Sequence, residues 1–270
     1  MAFADSEGTK LHWETTGAGA PVVLVMGLGM NATGWWRTVP VLARELRVIA
    51  FDNRGSGRSE VPPGPYSVTQ MADDAVAVLD AAGEESAHVY GISLGGMIAQ
   101  EIALRHPRRV RRLVLGATTP GGSHAAALDD DVVQFFFRRG EMPAEEAVWA
   151  SVPYNYGPRT RAEAAERIGE DIAQRLRYPI TPQGYAAQLE AALHHNAFDR
   201  LDVIHSQTLV IHGERDRMVP PANASLLAEG IPGARLETLP EAGHLYPTDA
   251  PDADERVLAF LSEPSSPDPS

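Results

Sequence analysis

The sequence has no cysteine among its 270 residues. Disulfides, thiolate nucleophiles and cysteine-based zinc sites are therefore excluded. Positive charge is scarce as well: 23 Lys and Arg stand against 36 Asp and Glu, a formal net charge of -13. Phosphate binding needs a basic surface, so neither nucleic acid nor an anionic membrane is an expected partner. The acidic surplus reads as solubility. No apolar run reaches transmembrane length, and the opening MAFADSEGTKLHWETTG lacks the apolar centre of a secretory signal. The cytoplasm is the expected compartment. No internal repeat is present, and the His and Asp residues form no tight cluster of metal-ligand spacing, so no metal or cofactor is expected.

Short apolar runs of strand length recur at 22–26, 46–51, 87–92, 110–117, 208–213 and 235–240. Most lack strict alternation, as expected of strands covered on both faces. Helical patterns lie between them, one opening at the N-cap candidate Ser67 and stopping at Gly83. Strands alternating with helices predict a mostly parallel sheet with helices on both faces, an α/β architecture. The alternation breaks from Gly121 to about Ser206, where only helical patterns occur. This predicts a core of residues 1–120 and 207–262, a helical cap of residues 121–206, and a disordered Ser- and Pro-rich tail, 263–270. The insertion holds Phe135, Phe136, Phe137, Trp149, Tyr154, Tyr156, Tyr178, Tyr185 and Phe198, nine of the chain's eighteen aromatic residues. Most are expected to form the insertion's own small core, the rest a roof over a pocket.

Gly91-Ile92-Ser93-Leu94-Gly95 lies between a predicted strand and a predicted helix. A nucleophile at the top of a sheet must project beyond the backbone, which needs a sharp, strained turn. Residues two positions away are then forced together, and only small ones fit. The following helix points its free N–H groups and dipole at the site, where an oxyanion would develop. Ser93 needs a base. His12, His106, His194, His195 and His212 read as structural, whereas His244 lies in a loop just past a strand end, beside Gly243. The base needs an orienting carboxylate, and the loop after 208–213 offers Asp216, with Glu214 as the fallback. The N–H groups of Leu28 and Leu94 are the candidate oxyanion donors. The small-molecule substrate is expected to meet Leu28, Trp35, Trp36 and Tyr246.

Five segments occur in a telling order: MGLG (26–29), FDNRGSGRS (51–59), GISLGG (91–96), GERDRMVP (213–220) and EAGHL (241–245). Together they resemble the α/β-hydrolase-fold serine hydrolases, over residues 11–120 and 207–261. The resemblance implies that fold, a Ser93–His244–Asp216 triad and hydrolysis of a carboxylic ester through an acyl-enzyme. Lactonase, C–C bond hydrolase and cofactor-free perhydrolase chemistries use the same machinery and stay open. Asp52 and Arg54 read as scaffold. One departure is Met26, where such proteins often carry histidine before the glycine. The aromatic roof and acidic balance suggest an uncharged, partly apolar substrate group; Arg138, Arg139, Arg175 and Arg177 offer a carboxylate partner instead. Two rival readings remain. GLGMNA (27–32) followed by Asp52 nearly matches a dinucleotide fingerprint, which implies an NAD-dependent oxidoreductase. A hydrolase-like scaffold that binds a ligand without turnover is the other.

Overall fold

Val22, Val23, Leu24 and Val25 are all fully buried, although neighbouring side chains on a strand point to opposite faces. In the computed structural model, which describes residues 2–264, Val23 and Val25 enter one core and Val22 and Leu24 another, on the two sides of a single sheet. This explains the missing alternation in the sequence: both faces are covered.

The sheet has eight strands: β1 (Ala2–Ser6), β2 (Thr9–Thr16), β3 (Ala20–Val25), β4 (Leu46–Phe51), β5 (Ala87–Ile92), β6 (Val110–Gly116), β7 (Gln207–Gly213) and β8 (Arg235–Leu239). Their order is β1-β2-β4-β3-β5-β6-β7-β8. β1 and β2 form an antiparallel hairpin, β2 runs antiparallel to β4, and every later pair is parallel. Helices Val68–Ala81 and Leu94–Arg105 cover one face through Met71, Val78, Leu79, Ile98 and Ile102. Helices Thr38–Leu42 and Ala253–Leu261 cover the other through Leu42, Val257 and Leu258. Ser67 caps the first of these helices, its side chain accepting from Gln70 N at 3.1 Å. The α/β-hydrolase fold expected from the sequence is the observed one.

Strand order reverses between β3 and β5: β4 lies beyond β3, β6 beyond β5. In open α/β sheets the crevice at such a reversal, past the carboxyl ends of the strands, is where ligands bind. The loop leaving β3 carries residues 26–31, and the turn leaving β5 carries Ser93.

Between β6 and β7, helices Asp130–Arg139, Ala144–Ala150, Val152–Asn155, Pro158–Glu163, Ala165–Arg175 and Pro182–Leu193 form the insertion. Several aromatics build its own core. Phe135 stacks on Tyr154 with ring centroids 4.7 Å apart, and Tyr156 packs with Ile168 and Ile172. Asp171 ties the insertion to the sheet domain. Its carboxylate accepts from Trp36 Nε1 (3.0 Å), Arg37 Nε (3.2 Å), Tyr156 Oη (3.2 Å) and Thr248 Oγ1 (2.5 Å).

At the start of the expected tail, Arg112 binds Glu263 Oε2 at 3.0 Å and Pro264 O at 3.0 Å. Residues 265–270 lie outside the described residues. No helix among the described residues is long and apolar enough to cross a membrane.

Candidate active site

Ser93 has φ 59° and ψ -124°, a backbone conformation that L-residues rarely adopt. Such strain costs roughly 1–3 kcal/mol and persists only where the surroundings enforce it. Four hydrogen bonds do so here: Ser93 N donates to Gly116 O at 2.9 Å, while Ser93 O accepts from Gly96 N at 2.8 Å, Met97 N at 3.2 Å and Thr118 Oγ1 at 2.7 Å. The turn folds the chain back so tightly that a Cβ on Gly91 would overlap Gly95 O, and one on Gly95 would overlap Val25 O. Both obstacles are backbone atoms of packed strands or helices and cannot move aside. Gly95→Ala is therefore expected to lower the melting temperature by several degrees or abolish soluble expression, a core-overpacking cost of roughly 1–3 kcal/mol or more. A Gly95→Ala protein that melts like the parent would refute this account of the turn.

His244 and Asp216 come together although 28 residues separate them: His244 Nδ1 lies 2.8 Å from Asp216 Oδ2. Both residues are only 5 % exposed. Asp216 Oδ1 accepts from Met218 N (2.8 Å) and Val219 N (2.9 Å), which fixes the carboxylate plane. Burial alone would push this carboxyl up; the charge of His244 and hydrogen bonds from His212 and His244 outweigh it and hold it at about 2. Glu214, the fallback acid, faces away and accepts from Thr238 Oγ1 at 2.9 Å. Among the described residues no hydrogen bond joins Ser93 Oγ to His244. Contacts of this kind are often long before substrate arrives and tighten in the reacting complex.

His212, read from the sequence as structural, touches the same carboxylate. Its Nε2 stands 3.0 Å from Val219 O and 3.1 Å from Asp216 Oδ2. A carbonyl can only accept, so Nε2 carries the ring proton. One carboxylate oxygen thus faces two imidazoles. No sequence signal marks this, because a histidine within a buried strand looks like any other core residue.

The loop after β3 lies directly over the turn: a Cβ on Gly27 would stand 3.0 Å from Ser93 Cβ and 3.5 Å from its Oγ. Among the described residues no backbone hydrogen bond engages the N–H of Leu28 or of Leu94. Both residues line, with Ser93, a cavity of about 360 Å³ whose roof includes Phe136, Phe137 and Leu189 of the insertion. The loop is held from two sides. Asn53 Nδ2 donates to Met26 O at 2.8 Å, and the fully buried Gln188 accepts from Gly29 N at 3.0 Å while donating to Arg54 O at 2.8 Å. Gln188 escaped the sequence reading because no motif surrounds it.

Three expected substrate contacts lie outside this cavity. Trp35 is 1 % exposed and packs on Tyr90, with ring centroids 4.9 Å apart. Trp36 donates to Asp171, and both tryptophans border a separate void of about 20 Å³. Tyr246 is fully buried, its hydroxyl 2.7 Å from that of Tyr90. None of the three lines the cavity that holds Ser93. The dinucleotide reading also lacks its geometry. Residues 27–29 open a 3-10 turn at Ala32–Trp35 rather than a helix at the glycines, and both Asp52 oxygens are engaged, by Ala32 N (2.8 Å) and Arg58 (2.9 Å). Among the described residues no group of three His, Asp or Glu side chains could hold a metal ion.

A family model described as the alpha/beta hydrolase fold matches residues 20–251. The chain is 34% identical over 273 residues to RutD of Azorhizobium caulinodans, whose name proposes a carbamate hydrolase; the match covers 97% of this chain and 99% of that protein. It is 34% identical to a 2-hydroxymuconate semialdehyde hydrolase of Pseudomonas sp. (strain CF600), over 88% of this chain and 84% of the relative. Among solved structures, the enol-lactonase of Burkholderia xenovorans LB400 superposes with a TM-score of 0.87 at 26% identity, covering 97% of this chain and 100% of the other.

Proposed function

The chain belongs to the alpha/beta hydrolase fold family, and from that premise we propose that it is a serine hydrolase acting on carboxylic esters through an acyl-enzyme. One observation carries the reading most: a strained Ser93 at the edge of a cavity, beneath a loop with a free N–H, on the sheet that also presents a buried Asp216–His244 pair.

In this mechanism Ser93 Oγ attacks the carbonyl carbon while His244 Nε2 takes its proton. Asp216 fixes the imidazole with Nδ1–H toward the carboxylate and stabilises the imidazolium. The N–H groups of Leu28 and Leu94 receive the oxyanion; one such donor is typically worth roughly 3 kcal/mol of barrier. Collapse of the tetrahedral intermediate releases the alcohol, which takes the proton from His244. Water, deprotonated by His244, then releases the acid and restores Ser93.

Lactone hydrolysis is the second reading. A lactone is a cyclic ester cut by the same steps, and an enol-lactonase is among the similar structures. Carbamate cleavage, suggested by the name of a relative, also begins with attack on an acyl carbon.

A fluorophosphonate probe tests the nucleophile without knowledge of the substrate. Stoichiometric labelling of the peptide containing Ser93, read by mass spectrometry, with concurrent loss of p-nitrophenyl acetate turnover, is expected. Absence of labelling at Ser93, or turnover that survives complete labelling, would overturn the proposal. Initial rates on matched esters, lactones and carbamates then rank the three substrate classes.

A further inference from the structure

Two of the four buried arginines among the described residues are paired with acid. Arg54 makes a two-pronged ion pair with Asp74 at 2.5 and 2.5 Å, and Arg112 binds Glu263 at 3.0 Å together with backbone carbonyls. Two others are not. Arg139 and Arg175 are 8 % and 7 % exposed, yet among the described residues neither has a carboxylate within ion-pair distance. Arg175 Nη1 donates to Ser151 Oγ at 3.1 Å and meets the Tyr156 hydroxyl. Arg139 lies over the Tyr185 ring, 5.0 Å from its centroid, and the Tyr185 hydroxyl donates to Phe136 O at 2.9 Å. These partners are neutral, though the Tyr156 hydroxyl that Arg175 meets donates onward to Asp171 Oδ2 at 3.2 Å. The carboxyl end of its helix and the aromatic face offset part of the burial cost at Arg139, but the charge itself stays uncompensated. The two guanidinium groups also feel each other. Burial, with the Arg175 charge adding to it and Tyr185 opposing, pulls Arg139 down to about 10, so it remains a cation at neutral pH.

The position of Arg139 gives this charge a purpose. A Cβ on Gly29 would stand 2.8 Å from Arg139 Nη2 and 3.2 Å from the Tyr185 ring. Gly29 is the residue after Leu28, which lines the cavity with Ser93. The two helices that meet over Gly29 also roof the cavity, one through Phe136 and the other through Leu189, placed one turn from Arg139 and Tyr185. Neither guanidinium lines that cavity, whose wall is mostly apolar. A guanidinium beside the oxyanion loop, short of an anion, matches a planar oxyanion in charge and in the spacing of its donors.

We propose that Arg139, with Arg175 behind it, forms an anion-recognition site beside the Ser93 cavity, and that the substrates carry a carboxylate a few carbons from the carbonyl that is attacked. The inference rests on the serine hydrolase reading for the carbonyl, but not for the anion.

Two measurements separate them. In steady-state kinetics, p-nitrophenyl hydrogen glutarate is compared with p-nitrophenyl pentanoate, which has the same chain length without the charge. The parent enzyme is expected to favour the anionic ester in kcat/KM. Arg139→Gln is expected to shrink that ratio roughly 10- to 100-fold, the value of one hydrogen bond to a charged group, mainly through KM, and Arg139→Lys to restore part of it. A parent indifferent to the carboxylate, or an Arg139→Gln protein that loses both esters equally, would overturn the proposal. In the binding arm, monomethyl glutarate is added to Ser93→Ala protein, which keeps the guanidinium but not the nucleophile. A saturable rise in melting temperature, absent when Arg139→Gln is added, is expected; no rise, or one that survives the second substitution, counts against the site. If no ester is turned over but this rise appears, the hydrolase reading has failed and the anion site stands.

Discussion

Ser93→Ala is expected to lower kcat on p-nitrophenyl acetate by about 10⁴- to 10⁶-fold, in the range seen when the nucleophile of a serine triad is removed, while KM and melting temperature change little. The expectation of intact folding comes from the bonds that hold the turn. Gly116 O, Gly96 N, Met97 N and Thr118 Oγ1 all engage the backbone of Ser93, and none engages its hydroxyl. Alanine keeps those four bonds and has much the same steric difficulty at φ 59°. The residual rate over water would come from the Leu28 and Leu94 N–H groups and from binding in the cavity, which the substitution leaves in place. Rates and circular dichroism on the same preparation check both halves of the claim. Parent-like turnover by the alanine variant would remove Ser93 from the chemistry, whatever its geometry.

How much of this was legible beforehand varies with what each residue answers to. The parallel strands were readable because burial on both faces leaves an unbroken apolar run, as at Val22–Val25. The hairpin of β1 and β2 was not; its exposed residues Asp5, Glu7 and Lys10 break the apolar signal. The turn at Ser93 was readable because its glycines are demanded by contact with backbone, a constraint no other residue type can meet. Nearness in sequence to a motif proved a poor guide to direction. Tyr246 follows His244 by two residues yet turns under the sheet to meet Tyr90. Arg138 and Arg139 are adjacent, and only their different azimuth on one helix exposes the first and buries the second. Gln188, holding the loop at Gly29 from the insertion, and His212, sharing Asp216, act across gaps of 159 residues for the first and from within a strand for the second. Neither role leaves a local pattern.

Asp216→Asn is the sharper test, because it changes one atom while preserving shape. Oδ1 of the amide can still accept from Met218 N and Val219 N, so the loop should keep its conformation. At the other position an NH₂ replaces the oxygen that faces both His244 Nδ1 at 2.8 Å and His212 Nε2 at 3.1 Å. His212 cannot rotate its proton away without losing Val219 O, so donor meets donor there. His244 can respond only by moving its proton to Nε2, the nitrogen that must be bare to accept from Ser93. A fall in kcat of about 10⁴-fold is expected on this ground. The variant should also lose a pH-dependent share of stability. Asp216 titrates at about 2 in the fold against 3.8 as its ordinary value. Its ionised form therefore stabilises the native state by about 2 kcal/mol above the ordinary value. That contribution fades as pH falls from there through the folded value and is gone once both states are protonated. Melting curves taken from neutral pH downward should show the parent losing this increment below about pH 4, while Asp216→Asn starts without it. Identical acid limbs in the two proteins, or a variant with parent-like kcat, would detach this carboxylate from His244 and from the reaction.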